Sequence, residues 1–289
     1  MTEHKRRGQR GRSKGTLDLI ATCSEIIEQV QPITVRGVCY KLFVAGLIDS
    51  MAVKNTQKIS RLLVQAREEG VIPWEWIVDD SRHTEGQAHW LDLKEYALDI
   101  QLSYRRDFWQ YHGVRVVVIS EKATVAGILR PVLEEYGVPF MAFHGYTSAT
   151  KAYELAQEIK RDSRNHFFLY VGDYDCSGMH MSEIDLPDRL QEYGAGDFVL
   201  ERIALTKDDI GNLQHFEAKK TDPRFRWYAG LYGTRAWELD AMDPNDLRER
   251  VRGEIEAYID LETWERHKLT EKAEQETVRT IAERMAAMA

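Results

Sequence analysis

The chain has 289 residues, 43% of them hydrophobic and 30% charged, with a formal net charge of −8. That length carries two domains or one large one, and no apolar run approaches the eighteen or so residues of a membrane span. Three cysteines, Cys23, Cys39 and Cys176, lack metal-ligand spacing; they argue against a disulfide framework or a zinc site and suit a cytoplasmic protein.

Residues 1–15 gather Lys5, Arg6, Arg7, Arg10, Arg12 and Lys14 against the single acid Glu3. A basic arm on an acidic body reads as a disordered phosphate-binding tail, or as a solvated end that aids solubility. Residues 16–80 then predict three short helices. The first carries Leu17, Ile20, Ile26, Ile27 and Val30 and stops before Pro32. Thr34 is placed to cap the second, whose Val35, Val38, Cys39, Leu42 and Phe43 form one buried stripe. The third runs from Asn55 to Glu69, burying Ile59, Leu62, Leu63 and Ala66, with Lys58, Arg61 and Gln65 off that stripe. Trp74 to Asp79 follows as a candidate wing strand. Three helices and a small hairpin describe a winged helix-turn-helix, a module that enters the major groove of DNA or docks proteins.

Residues 81–112 predict a connecting helix from Leu91 to Trp109, with His83 and His89 as surface residues. From 113 to 289 the pattern changes to strand, helix, strand, helix, strand, helix, which implies a parallel sheet. Val114 to Ser120 is a β-branched run that ends at Glu121, and a helix follows from Thr124 to Tyr136. Val138 to Phe143 is the next strand and Ser148 to Lys160 the next helix. The unbroken apolar run Phe167 to Val171 fits a strand covered on both faces, and Asp173 and Asp175 follow directly. Ligands collect at the carboxyl ends of such strands, where Glu121, Asp173 and Asp175 would make an oxygen-only site suited to Mg²⁺. The alternative is a turn in which Asp175 merely caps the next helix. Asp197 to Leu205 adds a strand. His215 to Arg235 interleaves cations, Arg226 among them, with aromatic rings, as in a nucleic-acid surface or a packed loop. The last forty-odd residues predict charged amphipathic helix that covers the sheet or pairs with a second subunit.

The Ile119-Ser-Glu-Lys122 and Gly172-Asp-Tyr-Asp-Cys-Ser-Gly-Met-His180 segments, with Glu121, Asp173, Asp175 and Gly178 in order, resemble the Toprim domain. Within that superfamily the chain is most similar to the A subunit of topoisomerase VI and the meiotic double-strand-break transesterase. Those relatives usually have Pro where this chain has Cys176. Arg36-Gly-Val-Cys-Tyr40 resembles the Arg-x-x-x-Tyr segment that carries their DNA-attacking tyrosine, and Glu238 to Met242 resembles another family segment, expected here to pack. Tyr40 falls roughly 130° from the centre of its helix's apolar stripe, so it is not an obvious core residue. The resemblance implies a winged helix followed by a Toprim domain, Mg²⁺ held by Glu121, Asp173 and Asp175, and Tyr40 as nucleophile with Arg36 beside it. It also implies a 5′-phosphotyrosine intermediate on double-stranded DNA and a homodimer. No G-x-x-x-x-G-K-[ST] motif is present, so full topoisomerase activity calls for a separate ATPase B-type subunit. Two alternatives stand beside this one: a Toprim nuclease of the plasmid- or phage-defence type that uses water, and a non-catalytic DNA-binding protein.

Overall fold

A computed structural model of the chain describes residues 14–78, 89–143 and 149–288. All of the basic arm except Lys14 and Gly15 lies outside these residues, as does His83. Helix α1 already begins at Lys14 (Lys14–Val30). Thr34 caps α2 (Val35–Val44) by accepting from the Gly37 N–H at 2.9 Å, a contact worth about 1 kcal/mol. Helix α3 spans Val53–Glu68. Ile20, Ile27, Val38, Leu42, Ile59 and Leu63 close the core of this three-helix unit.

The stretch expected as a wing strand folds otherwise. Trp74–Trp76 is a 3₁₀ turn, and Ile77 forms an isolated parallel bridge with Ile33. Pro73 sets the turn, and Ile77 is drawn into the helical core. The backbone is satisfied by the α1–α2 connection, through Ile33 N–H to Trp76 O at 3.1 Å and Val78 N–H to Ile33 O at 3.0 Å. No hairpin is present among the described residues of this region.

The connecting helix is shorter than its pattern suggested: α4 covers Leu93–Ser103, and Trp109–Tyr111 is a separate 3₁₀ turn. The parallel unit then follows in order with β1 (Val114–Ser120), α5 (Thr124–Tyr136), β2 (Phe140–Ala142), α6 (Ala149–Arg161) and β3 (Asn165–Val171). The short α7 (Cys176–His180) and α8 (Leu186–Glu192) lead to β4 (Phe198–Ala204). The strands are ordered β2-β1-β3-β4 and all pair in parallel. Alternate residues explain the unbroken apolar runs. Val116, Val118 and Leu169 enter the core on one face of the sheet, and Val117, Ile119 and Phe168 enter the core on the other.

Beyond the sheet, the two-residue strands β5 (Phe216–Glu217) and β6 (Arg235–Ala236) flank α9 (Phe225–Tyr232), and α10 (Pro244–Glu256) and α11 (Leu261–Ala286) close the chain. Helix α11 packs along α4, and among the described residues no helix is long and apolar enough to cross a membrane. Trp264 on α11 is 3% exposed, with its ring edge-on to Phe108 and Trp109 at 4.8 and 5.5 Å. Trp264→Ala is therefore expected to lower stability by about 3–5 kcal/mol, read as a shift of the urea midpoint at constant slope; an unchanged midpoint would refute this account of the core.

Candidate active site

The strand order reverses direction between β1 and β3, so their carboxyl ends open a crevice there. Glu121 leaves β1 into that crevice and turns back on its neighbours. Its Oε1 accepts from the Asp173 N–H at 2.7 Å, and its Oε2 accepts from the Tyr170 hydroxyl. Asp175 caps α7: its Oδ1 accepts from Ser177 N–H, Ser177 Oγ–H and Gly178 N–H at 2.8–2.9 Å. The three acids thus share an edge without converging on one point. Among the described residues no three His, Cys, Asp or Glu side chains gather closely enough to hold a metal ion.

Asp173 instead meets a lysine. The Lys122 ammonium donates to Asp173 Oδ1 at 2.7 Å and to Asp240 Oδ2 at 3.0 Å. Asp173 Oδ1 also accepts from the Leu239 N–H at 2.7 Å, and Asp240 Oδ1 accepts from the Thr34 hydroxyl at 2.6 Å. Burial disfavours the charge on Lys122, but Asp173 and Asp240 outweigh it and hold the ammonium above the ordinary lysine value. The two acids differ. Burial would raise Asp240, yet Lys122 and Thr34 hold it below the usual aspartate range. Asp173 is pushed up to about 7 by burial, with Lys122 pulling it back and the Glu121 carboxylate adding to the rise. Its ionised form is the one left short of positive charge.

Asp240 reaches this point through an antiparallel bridge between Tyr174 and Trp237, whose N–H and C=O groups exchange hydrogen bonds of 2.9 Å. The bridge lays Glu238-Leu-Asp240 beside Asp173-Tyr-Asp175. Glu238 forms a two-pronged ion pair with Arg36 on α2. Between α2, α3 and the sheet edge lies a cleft of about 620 Å³, lined among others by Thr34, Arg36, Ser60, Lys122, Asp173 and Asp240.

Tyr40 does not line that cleft. It was expected off the apolar stripe, and it is absent from the helical core, yet it is 2% exposed because the sheet unit covers the opposite face of α2. Its ring stands edge-on to Phe216 at 6.1 Å, with the Arg36 guanidinium carbon 5.9 Å from the ring centre. The hydroxyl makes no well-formed hydrogen bond, although the Glu238 carboxylate is near enough to act on it. Burial and the Glu238 carboxylate push the phenol well above its ordinary value, against the pull of Arg36.

Lys58, Arg61 and Gln65 are all exposed along α3, the helix whose Ser60 borders the cleft, and Arg226 is exposed on α9. The rings interleaved with Arg226 mostly face inward. Tyr228 is fully buried, donating to Arg235 O at 2.6 Å and Tyr174 O at 3.1 Å, while Phe225, Trp227 and Tyr232 pack on the core. Sequence reasoning missed Lys122, Glu238 and Asp240 as site residues. Their signals were the basic neighbour of Glu121 and an acid-x-acid spacing that repeats Asp173-x-Asp175.

Comparison with protein-family models, curated proteins and solved structures found no match to the chain.

Two glycines permit this packing. A Cβ at Gly172 would lie 2.2 Å from Glu121 Oε2, and one at Gly178 would lie 2.2 Å from the Asp173 carbonyl oxygen. At Gly172 the Glu121 carboxylate can shift, leaving the buried Tyr170 ring at 2.7 Å as the firmer contact, whereas at Gly178 the nearest atom, the Asp173 carbonyl oxygen, is fixed in the chain. Gly178→Ala is thus expected to cost more stability than Gly172→Ala, each in the range of about 1–3 kcal/mol. Thermal melts that rank the two the other way would contradict this packing.

Proposed function

We propose that the chain is a DNA-cleaving enzyme of the topoisomerase VI A type, a three-helix DNA-binding unit joined to a Toprim-like sheet, that acts by tyrosine transesterification on duplex DNA. The observation that carries this reading is the docking of α2 against the sheet edge, with Arg36 and Tyr40 on the side of the helix facing the unit that bears Glu121, Asp173 and Asp240. A helix used only for DNA binding has no need to turn an arginine and a tyrosine toward the unit that carries those acids.

The donors have the chemistry of a hard-cation site, all of them carboxylate oxygens, but they stand apart, and the Lys122 ammonium lies between Asp173 and Asp240, so an ion would have to draw them together. Glu121, Asp173 and Asp175 are the residues that would hold Mg²⁺, with Asp240 at hand. When bound, the ion supplies neutralisation of charge on the scissile phosphate and the leaving oxygen.

The rest falls to the chain itself. Tyr40 is the attacking group: its oxygen forms the bond to phosphorus as the bond from phosphorus to the strand's 3′ oxygen breaks, and the phenol proton passes, by way of water, to that oxygen, which departs as the new hydroxyl. Arg36 lies where a guanidinium can steady the phenolate or grip the phosphate. Lys58, Arg61 and Gln65 on α3 would hold the duplex beside the cleft. One tyrosine cuts one strand, so a double-strand break calls for two copies of the chain; resealing with turnover of ATP would call for a separate ATPase subunit.

A second reading is favoured by one observation. Tyr40 is buried away from the cleft that holds Lys122 and Asp173, as it would be in a nuclease that uses water. Plasmid incubated with Mg²⁺ and protein, then analysed with and without protease, separates the two. Transesterification leaves protein on the DNA ends; Tyr40→Phe eliminates adducts and breaks together, and Arg36→Ala lowers both by about 10²–10³-fold. Unimpaired cutting by Tyr40→Phe without adducts would hand the site to water, and full cutting by Asp173→Ala would overturn both readings.

A further inference from the structure

Helix α2 meets the segment from Glu238 to Asp243 through three matched polar contacts. Arg36 pairs with Glu238, the Thr34 hydroxyl and Lys122 share Asp240, and Lys41 pairs with Asp243. Every cation on this side of α2 is therefore already answered by a carboxylate from one short stretch of chain. Beside that row lies Tyr40, almost wholly buried, its hydroxyl within the influence of the Glu238 carboxylate but without a well-formed hydrogen bond.

We propose that Arg36 and Lys41 form a track for a phosphodiester backbone, and that the Glu238 and Asp243 carboxylates are its internal, displaceable occupants. The inference rests on the DNA reading above. It adds that the acids of this segment compete with DNA phosphates for the same cations and keep the α2 face shut until nucleic acid arrives.

Exposure tells which contacts give way. The Arg36–Glu238 side chains are 43% and 27% exposed, and those of Lys41–Asp243 are 30% and 27% exposed. Half-open pairs of this kind contribute little to stability and part readily. A phosphate that takes over the cation gains counterion release, and Arg36 can grip it with two parallel N–H bonds. Asp240 is only 8% exposed and is held by both Lys122 and Thr34, so it acts as the hinge that stays. Farther along, the Arg248 guanidinium donates to the carbonyls of Val30 at 2.9 Å and Gln31 at 3.2 Å. The helical unit thus remains attached while the two outer pairs exchange partners.

The test is binding of a short labelled duplex in Mg²⁺-free buffer, where cleavage plays no part. In the wild type, the Glu238 and Asp243 carboxylates compete with DNA phosphates for Arg36 and Lys41, so both pairs must part as DNA binds. Glu238→Gln/Asp243→Asn removes that competition and should bind about tenfold tighter at low salt, with the gain shrinking as salt rises. Asp243→Asn alone, the milder change at a half-open pair, should give a gain of about threefold. Glu262→Gln/Glu265→Gln on α11 is the control: these exposed acids also pair with cations, Arg266 and Lys268, and their loss reports only the long-range effect of lower negative charge. Equal gains in the control and the segment variants, or no gain in the segment variants, would overturn the proposal and leave the cleavage reading standing. Absence of duplex binding by every form would overturn both.

Discussion

The Lys122 ammonium, shared between Asp173 and Asp240, is the interaction on which the geometry of the cleft depends. It joins the ends of β1 and β3 to the turn before α10, and through Asp240 and Thr34 it reaches the cap of α2. A buried ion pair adds little net stability compared with apolar packing, but removing one partner strands the others at a cost of roughly 3–5 kcal/mol. Its effect is therefore on position more than on stability. Without that cation, Asp173 and Asp240 would repel, and the bridge between Tyr174 and Trp237 would have to hold the two acidic stretches together.

Helix α2 has two unlike faces, and both are covered. Val38, Cys39 and Leu42 serve the helical core, while Arg36, Tyr40 and Lys41 meet the sheet unit. The second face explains why a tyrosine outside the apolar stripe is nevertheless shielded from water. Its coverage is by charged pairs at the rim and an aromatic contact at the centre. Such an interface is easier to part than an apolar core of the same size, because the rim pairs exchange one ionic partner for another.

Regular elements were legible where local signals agreed. The β-branched run of β1 and the amphipathic α5 fall where their patterns place them, because sheet pairing and core packing reinforce the same residues. Trp74 to Trp76 misled because aromatic residues favour strands in general, while Pro73 and the pull of Ile77 into the core decide this case. The shared edge of Glu121, Asp173 and Asp175 could be read from topology. Their orientations could not, since these follow from Tyr170, Lys122 and the α7 terminus acting together. Glu238 and Asp240 were hidden for a similar reason: a bridge across sixty-odd residues carries no local signature.

Helix α4 draws its cover from the far end of the chain. Ala97 is its one fully buried residue, and just beyond the helix Tyr104 donates to Glu274 at 2.7 Å. On the ribosome, α4 emerges long before α11 exists, so the connector must wait bare while the whole sheet unit is made. The helix that covers α4 is therefore made only after the whole sheet unit, and until then the apolar side of the connector stays open to water.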